Sequence, residues 1–166
     1  MLAALQVLTV MVVSVAMALV LAHALELPGK MRLTKEQYLA VQPIYYPGFT
    51  FGGMAEPIGL VLLLVLLFHT PTATTAFWLS GSAFVALLAM HATYWLMTHP
   101  VNNFWLKDIP LDRAGTGFFS FGAANRTDEC GTPDWTMLRD RWELSHLVRT
   151  GFGLLSLVLL VTAVAI

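Results

Sequence analysis

The fold is decided by an apolar run at residues 2–27, LAALQVLTVMVVSVAMALVLAHALEL. This run can cross a membrane as one helix, because a span needs about 20 apolar residues at about 1.5 Å of rise each. No Lys or Arg precedes Lys30, so the basic start of a cleaved signal peptide is missing. We therefore expect a retained first membrane helix.

The composition is that of a membrane protein. Of the 166 residues, 57% are hydrophobic and 11% are charged, whereas a soluble domain has about 25% charged residues. The net charge of −1 and the lack of a basic run predict no nucleic-acid partner. Cys130 is the single cysteine, so neither an intrachain disulfide nor a thiolate-rich metal site can form.

Three further apolar runs complete the predicted fold. They lie at 52–69, 73–97 and 142–166, with connecting loops at 28–51 and 98–141. We predict an all-α integral membrane protein with one domain over residues 1–166, folded as an antiparallel four-helix bundle. Pro100 is expected to end the third helix, because proline lacks the N–H that a helix interior needs. Small residues either let neighbouring helices approach closely or reflect ordinary membrane-helix composition; they are Gly59, Gly81, Ser82, Gly151 and Gly153.

The basic residues predict the orientation. All nine lie at, or between, the same ends of the four spans, eight of them before residue 142 and the ninth, Arg149, just inside the last span. By the positive-inside rule both loops are cytoplasmic and both termini lie on the non-cytoplasmic side. We expect a bacterial inner membrane, with the lipid bilayer as a partner. A homo-oligomer and a larger membrane complex both stay open.

Ionisable residues form one layer just inside the predicted cytoplasmic ends of the four spans. Two spans carry an acid and a histidine three residues apart, which places each pair on one helix face. The other two spans carry one ionisable residue each at a similar depth. Charged groups at membrane depth are costly and usually mark a functional site. We predict that six side chains converge there as metal ligands: His23, Glu26, Glu56, His91, Glu143 and His146.

This layer admits more than one chemistry. Imidazole and carboxylate ligands suit iron, copper, manganese or zinc, and comparable sets from four helices hold two metal ions in carboxylate bundles. One or two transition metal ions are therefore predicted. Non-covalent haem b, with histidines as axial ligands, is an alternative. A metal-free, proton-handling network, in which Arg149 balances a buried glutamate, is another.

Two motifs in the second half of the chain carry a family resemblance. They are THPVNNFW at residues 98–105 and RWELSHLVR at residues 141–149. The chain resembles the small four-helix membrane proteins related to fungal anthrone oxygenases, in which P-x-N-N after helix 3 precedes R-W-x-x-x-H-x-x-R at helix 4. The activity named in that family is the oxygenation of an anthrone to an anthraquinone. The resemblance implies a functional set of Asn102, Asn103, Trp142, His146 and Arg149.

Together these observations predict an enzyme. We expect a membrane-embedded oxidoreductase or oxygenase with a His/Glu metal site at the cytoplasmic end of the bundle, acting on an apolar or aromatic small molecule. Its predicted catalytic residues are Arg149, Asn102 and Asn103. A haem- or quinone-binding electron-transfer protein and a non-enzymatic proton-handling or accessory subunit are the alternatives. The Phe-rich stretch at 115–122 would cover the site or lie on the membrane surface.

Overall fold

Four long helices dominate the architecture. The structure, a computed structural model, describes residues 1–105 and 134–166, apart from the side chain of Asn103. The predictions for the stretch 115–122 and for Cys130 lie outside these residues. Within the described part, four helical stretches are long and apolar enough to cross a membrane: Leu2–Lys30, Gly48–Phe68, Thr75–Asn102 and Trp135–Ala165. The prediction of an all-helical chain with four membrane-length helices is confirmed.

Within residues 1–105 the helices follow one another with short connections. A 3₁₀ turn at Gln42–Tyr45 and a wide π-helical turn at Tyr94–Thr98 interrupt the series. In the described residues, the α-helices are α1 (Leu2–Lys30), α2 (Lys35–Val41), α3 (Gly48–Gly52), α4 (Ala55–Phe68), α5 (Thr75–Thr93), α6 (His99–Trp105) and α7 (Trp135–Ala165).

The long helices pack in a ring around an apolar core. Helix α7 lies against α1 and α5, and α4 lies against the same two helices. A Cβ atom added to Gly59 would lie 3.1 Å from Leu87, and one added to Gly153 would lie 3.2 Å from Met90. At these two positions glycine therefore permits close helix approach. The core residues are Val13, Ala16, Val20, Leu63, Leu66, Ala83, Leu87, Met90 and Leu160.

The first predicted loop is largely helical. Thr34 and Gln37 form a capping box, in which each side chain accepts a hydrogen bond from the other residue's backbone N–H. This box starts α2, and Tyr38 of α2 is fully buried in a second core with Val101 and Trp142. Residues 35–52 thus fold back as short helices against the ends of the long ones, where the sequence predicted an open connection.

The expectation that Pro100 ends the third helix is wrong. The helical path continues through the π-helical turn into α6 and reaches Trp105. Pro100 lies in the first turn of α6, where a missing N–H is tolerated. The carbonyl oxygen of Leu96, four residues earlier, instead accepts a hydrogen bond from Arg141 of α7 at 2.8 Å. A side chain from another helix thus supplies a donor to the carbonyl that proline leaves open.

Two other helix ends extend beyond their predicted bounds. Helix α1 continues to Lys30 with Pro28 inside its last turn. Helix α7 begins at Trp135, seven residues before the predicted start at 142, because the Asp134 carboxylate caps the backbone N–H of Thr136 at 3.0 Å. Both extensions reach the end of the bundle at which Lys30, Glu56 and Trp142 lie, which we call the polar end.

Candidate functional site

A cavity of about 460 Å³ lies at the polar end, between the long helices and the residue 42–54 segment. Its volume is in the range typical of small-molecule sites. Aromatic side chains make up much of its wall: Tyr45, Tyr46, Phe49, Phe51, Tyr94, Trp95, Trp105 and Trp142. Polar side chains also line it: His23, Gln42, Thr50, Glu56, His91, Thr98, Asn102, His146 and Arg149.

Two histidines face one another on this wall. The ring centroids of His23 on α1 and His146 on α7 are 4.1 Å apart, with the planes tilted by 36°. Both residues are buried, with relative exposures of 5% and 3%. Nδ1 of His23 and Nε2 of His146 have no hydrogen-bond partner among residues 1–105 and 134–166. Since buried polar atoms are normally paired, these nitrogens are available to a ligand.

The histidine pair adjoins a buried ion pair. Arg149, one turn beyond His146 on α7, donates through Nη2 to Oε1 of Glu56 and contacts Nδ1 of His146 through Nη1 at 3.5 Å. Because an arginine can only donate, Nδ1 of His146 is an acceptor and Nε2 carries the proton. The expectation that Arg149 serves as the counter-charge of a buried glutamate thus matches this geometry.

His91 completes the group around Glu56. The indole N–H of Trp95 donates to Nε2 of His91 at 3.0 Å, so the ring proton is on Nδ1. That nitrogen lies 3.2 Å from Oε2 of Glu56 and donates to it. Both carboxylate oxygens of Glu56 and both ring nitrogens of His91 are therefore engaged.

A second charged cluster lies beside the cavity. Lys30 is 5% exposed, and its Nζ lies 2.8 Å from Oε2 of Glu26 and 3.9 Å from Oε1 of Glu143. The hydroxyl of Tyr45 donates to Glu26 at 2.5 Å, and that of Tyr38 donates to Glu143 at 2.9 Å. The cluster therefore ties the first loop segment to α1 and α7.

The two tyrosines of this cluster stay protonated. Burial, followed by the charge of Glu143 and the hydrogen bond to it, raises the pKa of Tyr38 above its usual value. Burial, followed by the hydrogen bond to Glu26 and its charge, raises the pKa of Tyr45 in the same way. Both hydroxyls therefore remain donors to their carboxylates over the range in which an exposed tyrosine would ionise.

The two motifs that carry the family resemblance, at residues 98–105 and 141–149, meet at the cavity wall. Trp142 donates its indole N–H to Oδ1 of Asn102 at 2.8 Å. Close by, the hydroxyls of Thr98 and Ser145 are 2.8 Å apart. Trp142 also packs edge-on against His146, at a centroid distance of 4.2 Å. The motifs therefore position the histidine pair, and the side chain of Asn103, a predicted site residue, lies outside the described atoms.

The six predicted metal ligands divide into two groups. His23, Glu56, His91 and His146 line the cavity, whereas Glu26 and Glu143 belong to the Lys30 cluster. In the described part of the chain, no three His, Cys, Asp or Glu side chains are grouped so that they could hold a metal ion. With Glu56 and His91 engaged as above, these donors do not fit a metal centre in this arrangement. The metal stays a prediction that elemental analysis can test.

The same geometry bears on the haem alternative. A group between two rings needs atom contacts of about 3.5–4.0 Å on each face. The 4.1 Å between the centroids of His23 and His146 leaves no room for a second ring system between them. These two histidines therefore do not fit as a pair of axial ligands in this arrangement.

Sequence reasoning missed the contribution of the first loop segment. Tyr38, Tyr45 and Phe49 fall seven and four residues apart, which is helical spacing, and the capping pattern at Thr34–Gln37 precedes them. Tyr45 and Phe49 pack against His23 with centroid distances of 4.5 and 4.8 Å. These signals could have indicated a helical segment that covers the histidines.

Comparison with known proteins returned no matching family model, no matching curated protein and no matching solved structure. The resemblance to the anthrone oxygenase-related proteins therefore stays a prediction, and its specific support is the two motifs.

Proposed function

We propose that this chain is an integral membrane protein whose four long helices form an antiparallel bundle. The connection between α4 and α5, His69–Thr74, is too short to carry the chain back across a bilayer before the next helix starts. Outward side chains of α4 are apolar along its length, with Ile58, Val61 and Phe68 at 47%, 61% and 82% exposure. A continuous exposed apolar surface of this kind favours contact with lipid.

The proposed orientation places the polar end in the cytoplasm of a bacterial cell and both termini across the inner membrane. Its support is the distribution of basic residues, which are retained on the cytoplasmic side during insertion. In the described residues, the basic side chains are Lys30, Arg32, Lys35, Arg139, Arg141 and Arg149, all at or near the polar end.

We further propose that this protein is an enzyme, which binds a flat apolar or aromatic molecule in the cavity and removes a proton from it. The observation that carries this proposal is the buried pair of His23 and His146, which lines an aromatic-walled cavity and in which each ring has one buried nitrogen without a hydrogen-bond partner among the described residues. A buried neutral imidazole is a suitable general base, and an aromatic wall suits a planar substrate.

The hydrogen bonds assign a role to each histidine. His146 accepts from Arg149 through Nδ1, so its Nε2–H is free to donate to a hydroxyl or carbonyl oxygen of the substrate. His23 is then the base that removes the proton. The Glu56–Arg149 ion pair holds His146 in this tautomer and adds a positive charge near the developing anion.

The proposed reaction class is oxygenation, which the family resemblance implies and for which molecular oxygen is the oxidant. In the reaction named in that family, one O₂ converts a CH₂ group between two aryl rings into a carbonyl and releases one water. Removal of a proton from that CH₂ group is the step that the histidine pair would assist. We use an anthrone as a test of this chemistry and do not assign it as the natural substrate.

The experiment is oxygen uptake by protein reconstituted in phosphatidylcholine vesicles, with anthrone as the substrate. We expect His23→Ala and His146→Ala to reduce the enzyme-dependent rate by about 10²–10⁴, the usual contribution of general acid–base catalysis. His69→Ala is the matched control, because His69 lies near the α4–α5 turn and does not line this cavity. Equal rates in all four proteins would contradict the assignment.

Elemental analysis and an optical spectrum of the same preparations test the metal and haem predictions. One or two transition-metal equivalents that the His23→Ala/His146→Ala double variant loses would establish the predicted metal site. A Soret band would establish haem. Metal-free, colourless protein with full oxygen uptake would favour the histidine pair acting without either group.

A proton-handling or accessory subunit without catalysis is the second candidate. It is favoured by the proximity of Glu26, whose side chain is 41% exposed, to Nδ1 of His23 at 3.8 Å. Together with the Lys30 cluster, this contact places ionisable groups between the surface and the histidine pair. Proton flux into vesicles that is lost in His23→Ala, without oxygen uptake by any protein, would support this candidate over the enzyme.

A further inference from the structure

We infer that the cavity opens sideways into the lipid bilayer, and that its ligand is an uncharged, lipid-soluble aromatic molecule that arrives from the membrane. This inference rests on the proposed membrane location and small-molecule binding. It adds the route by which the ligand arrives and the charge that the ligand can carry.

The mouth of the cavity is apolar. Among its described lining residues, only Phe51 and Met54 are largely exposed, with relative exposures of 56% and 53%. Five of the polar lining residues are buried, each 6% exposed or less: Gln42, His23, Glu56, His146 and Arg149. Thr50, His91 and Asn102 are partly exposed, and the 25% exposed side chain of His91 is engaged by Glu56 and Trp95. The two most exposed side chains of the described wall, Phe51 and Met54, therefore offer a charged ligand no polar contact, whereas they offer an apolar ligand contacts at once.

The mouth is continuous with a surface that faces lipid. Met54 stands at the start of α4, and Ile58, Val61, Val65 and Phe68 follow it at helical spacing on the same face. All five side chains are exposed by 38% or more. Phe51 and Met54 also lie within the second membrane-length stretch, Gly48–Phe68. The opening is therefore one end of the lipid-facing stripe of α4.

The inner edge of the mouth is held in place by a close contact. A Cβ atom added to Gly52 would lie 2.8 Å from Cδ1 of Leu19, a residue of α1 that also lines the cavity. Glycine at 52 thus allows α3 to lie directly against α1, with Phe51 and Met54 on either side of the contact turned outward. The opening is bounded by packed helices at this edge.

A charged ligand is disfavoured on this route. Moving a charge into hydrocarbon is costly, whereas a phenol or a ketone partitions readily into a bilayer. His146 and His23 line the cavity, and the Nε2–H of His146 and Nδ1 of His23 could pair with one or two oxygen atoms on such a ring. The site therefore fits a planar aromatic alcohol or ketone without ionised groups.

The first arm of the test measures what the mouth faces, without reference to any ligand. In a Cys130→Ser background, Met54→Cys and Ile58→Cys are labelled in vesicles with a lipid-soluble maleimide and with a sulfonated, membrane-impermeant maleimide. We expect both cysteines to react at least about tenfold faster with the lipid-soluble reagent, because a charged reagent is excluded from hydrocarbon. Rapid labelling of Met54→Cys alone by the sulfonated reagent would overturn the inference, since the mouth would then open to water.

The second arm measures ligand access at neutral pH with 2-naphthol and with its 6-sulfonate, which has the same ring and a permanent charge. We expect 2-naphthol to bind and the sulfonate not to bind. Met54→Trp should slow 2-naphthol association several-fold, whereas Ile58→Trp, one turn further along the stripe and outside the cavity wall, should leave it unchanged. Equal association of both naphthols, or equal rates in the two tryptophan variants, would overturn the route. If the parent protein binds neither naphthol, the proposed function fails, and the labelling arm still decides whether the mouth faces lipid.

Discussion

Trp142 donates its indole N–H to Oδ1 of Asn102 over 2.8 Å, and this bond, like that between the hydroxyls of Thr98 and Ser145, joins the two sequence motifs at 98–105 and 141–149. Trp142 is 3% exposed and packs on both His146 and His23, at centroid distances of 4.2 and 5.0 Å. The hydrogen bond therefore fixes the ring that separates the histidine pair from α6. Neither motif alone forms the cavity wall, because each supplies one partner of the bond.

Replacing Trp142 with Phe tests this bond. The variant keeps an aromatic ring but loses the indole donor, so we expect a loss of about 1 kcal/mol of stability, the usual net value of one hydrogen bond. Thermal unfolding in detergent measures it. Trp78→Phe is the matched control, because Trp78 is 68% exposed and far from the polar end. A loss as large in the control would show that the Asn102 bond contributes nothing specific.

Breaking the buried ion pair of Arg149 and Glu56 is expected to cause the largest loss of stability among these variants. Arg149→Met leaves the carboxylate of Glu56 buried beside His91 without its cation, and breaking a buried pair in this way costs about 3–5 kcal/mol. Glu56→Gln/Arg149→Met should recover much of this loss, since no unpaired charge remains. The measurement is a double-mutant cycle from thermal unfolding in detergent.

The control for that cycle is Arg32→Met, which removes an exposed arginine near the polar end. It should change stability by about 0.5 kcal/mol or less, as surface substitutions usually do. If the double variant is as unstable as Arg149→Met, then the damage comes from lost packing and the ion-pair explanation fails.

The sequence predicts the long helices and the polar layer but not the pairing within that layer. Apolar runs of sufficient length predict membrane-length helices by themselves, and spacing places His23 and Glu26 on one helix face. Which acid meets which base depends on the rotation of each helix about its axis. That rotation is set by packing such as Gly153 against Met90, so Glu56 meets Arg149 and His91, whereas Glu26 meets Lys30.

The helices of the first loop segment could not be predicted from the sequence for a related reason. Helix α2 has seven residues, too few to be stable alone, and its stability comes from burying Tyr38 between Trp105 and Trp135. A partner that is about 100 residues away in the chain cannot be read from local periodicity. The capping box at Thr34 marks where the helix starts, and tertiary contacts decide that it forms.

Because of Tyr38, the stability of the folded protein is expected to depend on pH in the alkaline range. Its pKa is raised in the folded protein by burial and by Glu143, whereas in the unfolded chain a tyrosine ionises near pH 10. The stabilisation is therefore fully present below about pH 10 and is lost as the pH rises further, because only the unfolded state then releases the proton. Tyr38→Phe lacks this proton, so its thermal stability should fall less steeply above pH 10.

Below that pH the same variant should be less stable than the parent protein. It loses a hydrogen bond to a carboxylate, which is worth about 1.5–3 kcal/mol. The melting-temperature difference between the two proteins should thus be largest near pH 8 and should narrow towards pH 11. A constant difference across this range would show that the Tyr38 hydroxyl does not carry the alkaline dependence.

Arg141 and Pro100 form the last testable pair. Pro100 has no N–H for the Leu96 carbonyl, and Arg141 donates to that oxygen at 2.8 Å. Arg141→Met should therefore cost about 1 kcal/mol of stability, the usual net value of a hydrogen bond. Pro100→Ala restores a backbone N–H at the position that normally bonds this carbonyl, so Arg141→Met should cost distinctly less in that background. Thermal unfolding of the four proteins measures the coupling.

Arg139→Met is the control, since Arg139 pairs with its neighbour Asp140 and should give the same small effect in both backgrounds. Additive losses for Pro100→Ala and Arg141→Met would mean that the arginine does not compensate for the proline, and the continuation of the helix past residue 100 would then need another cause.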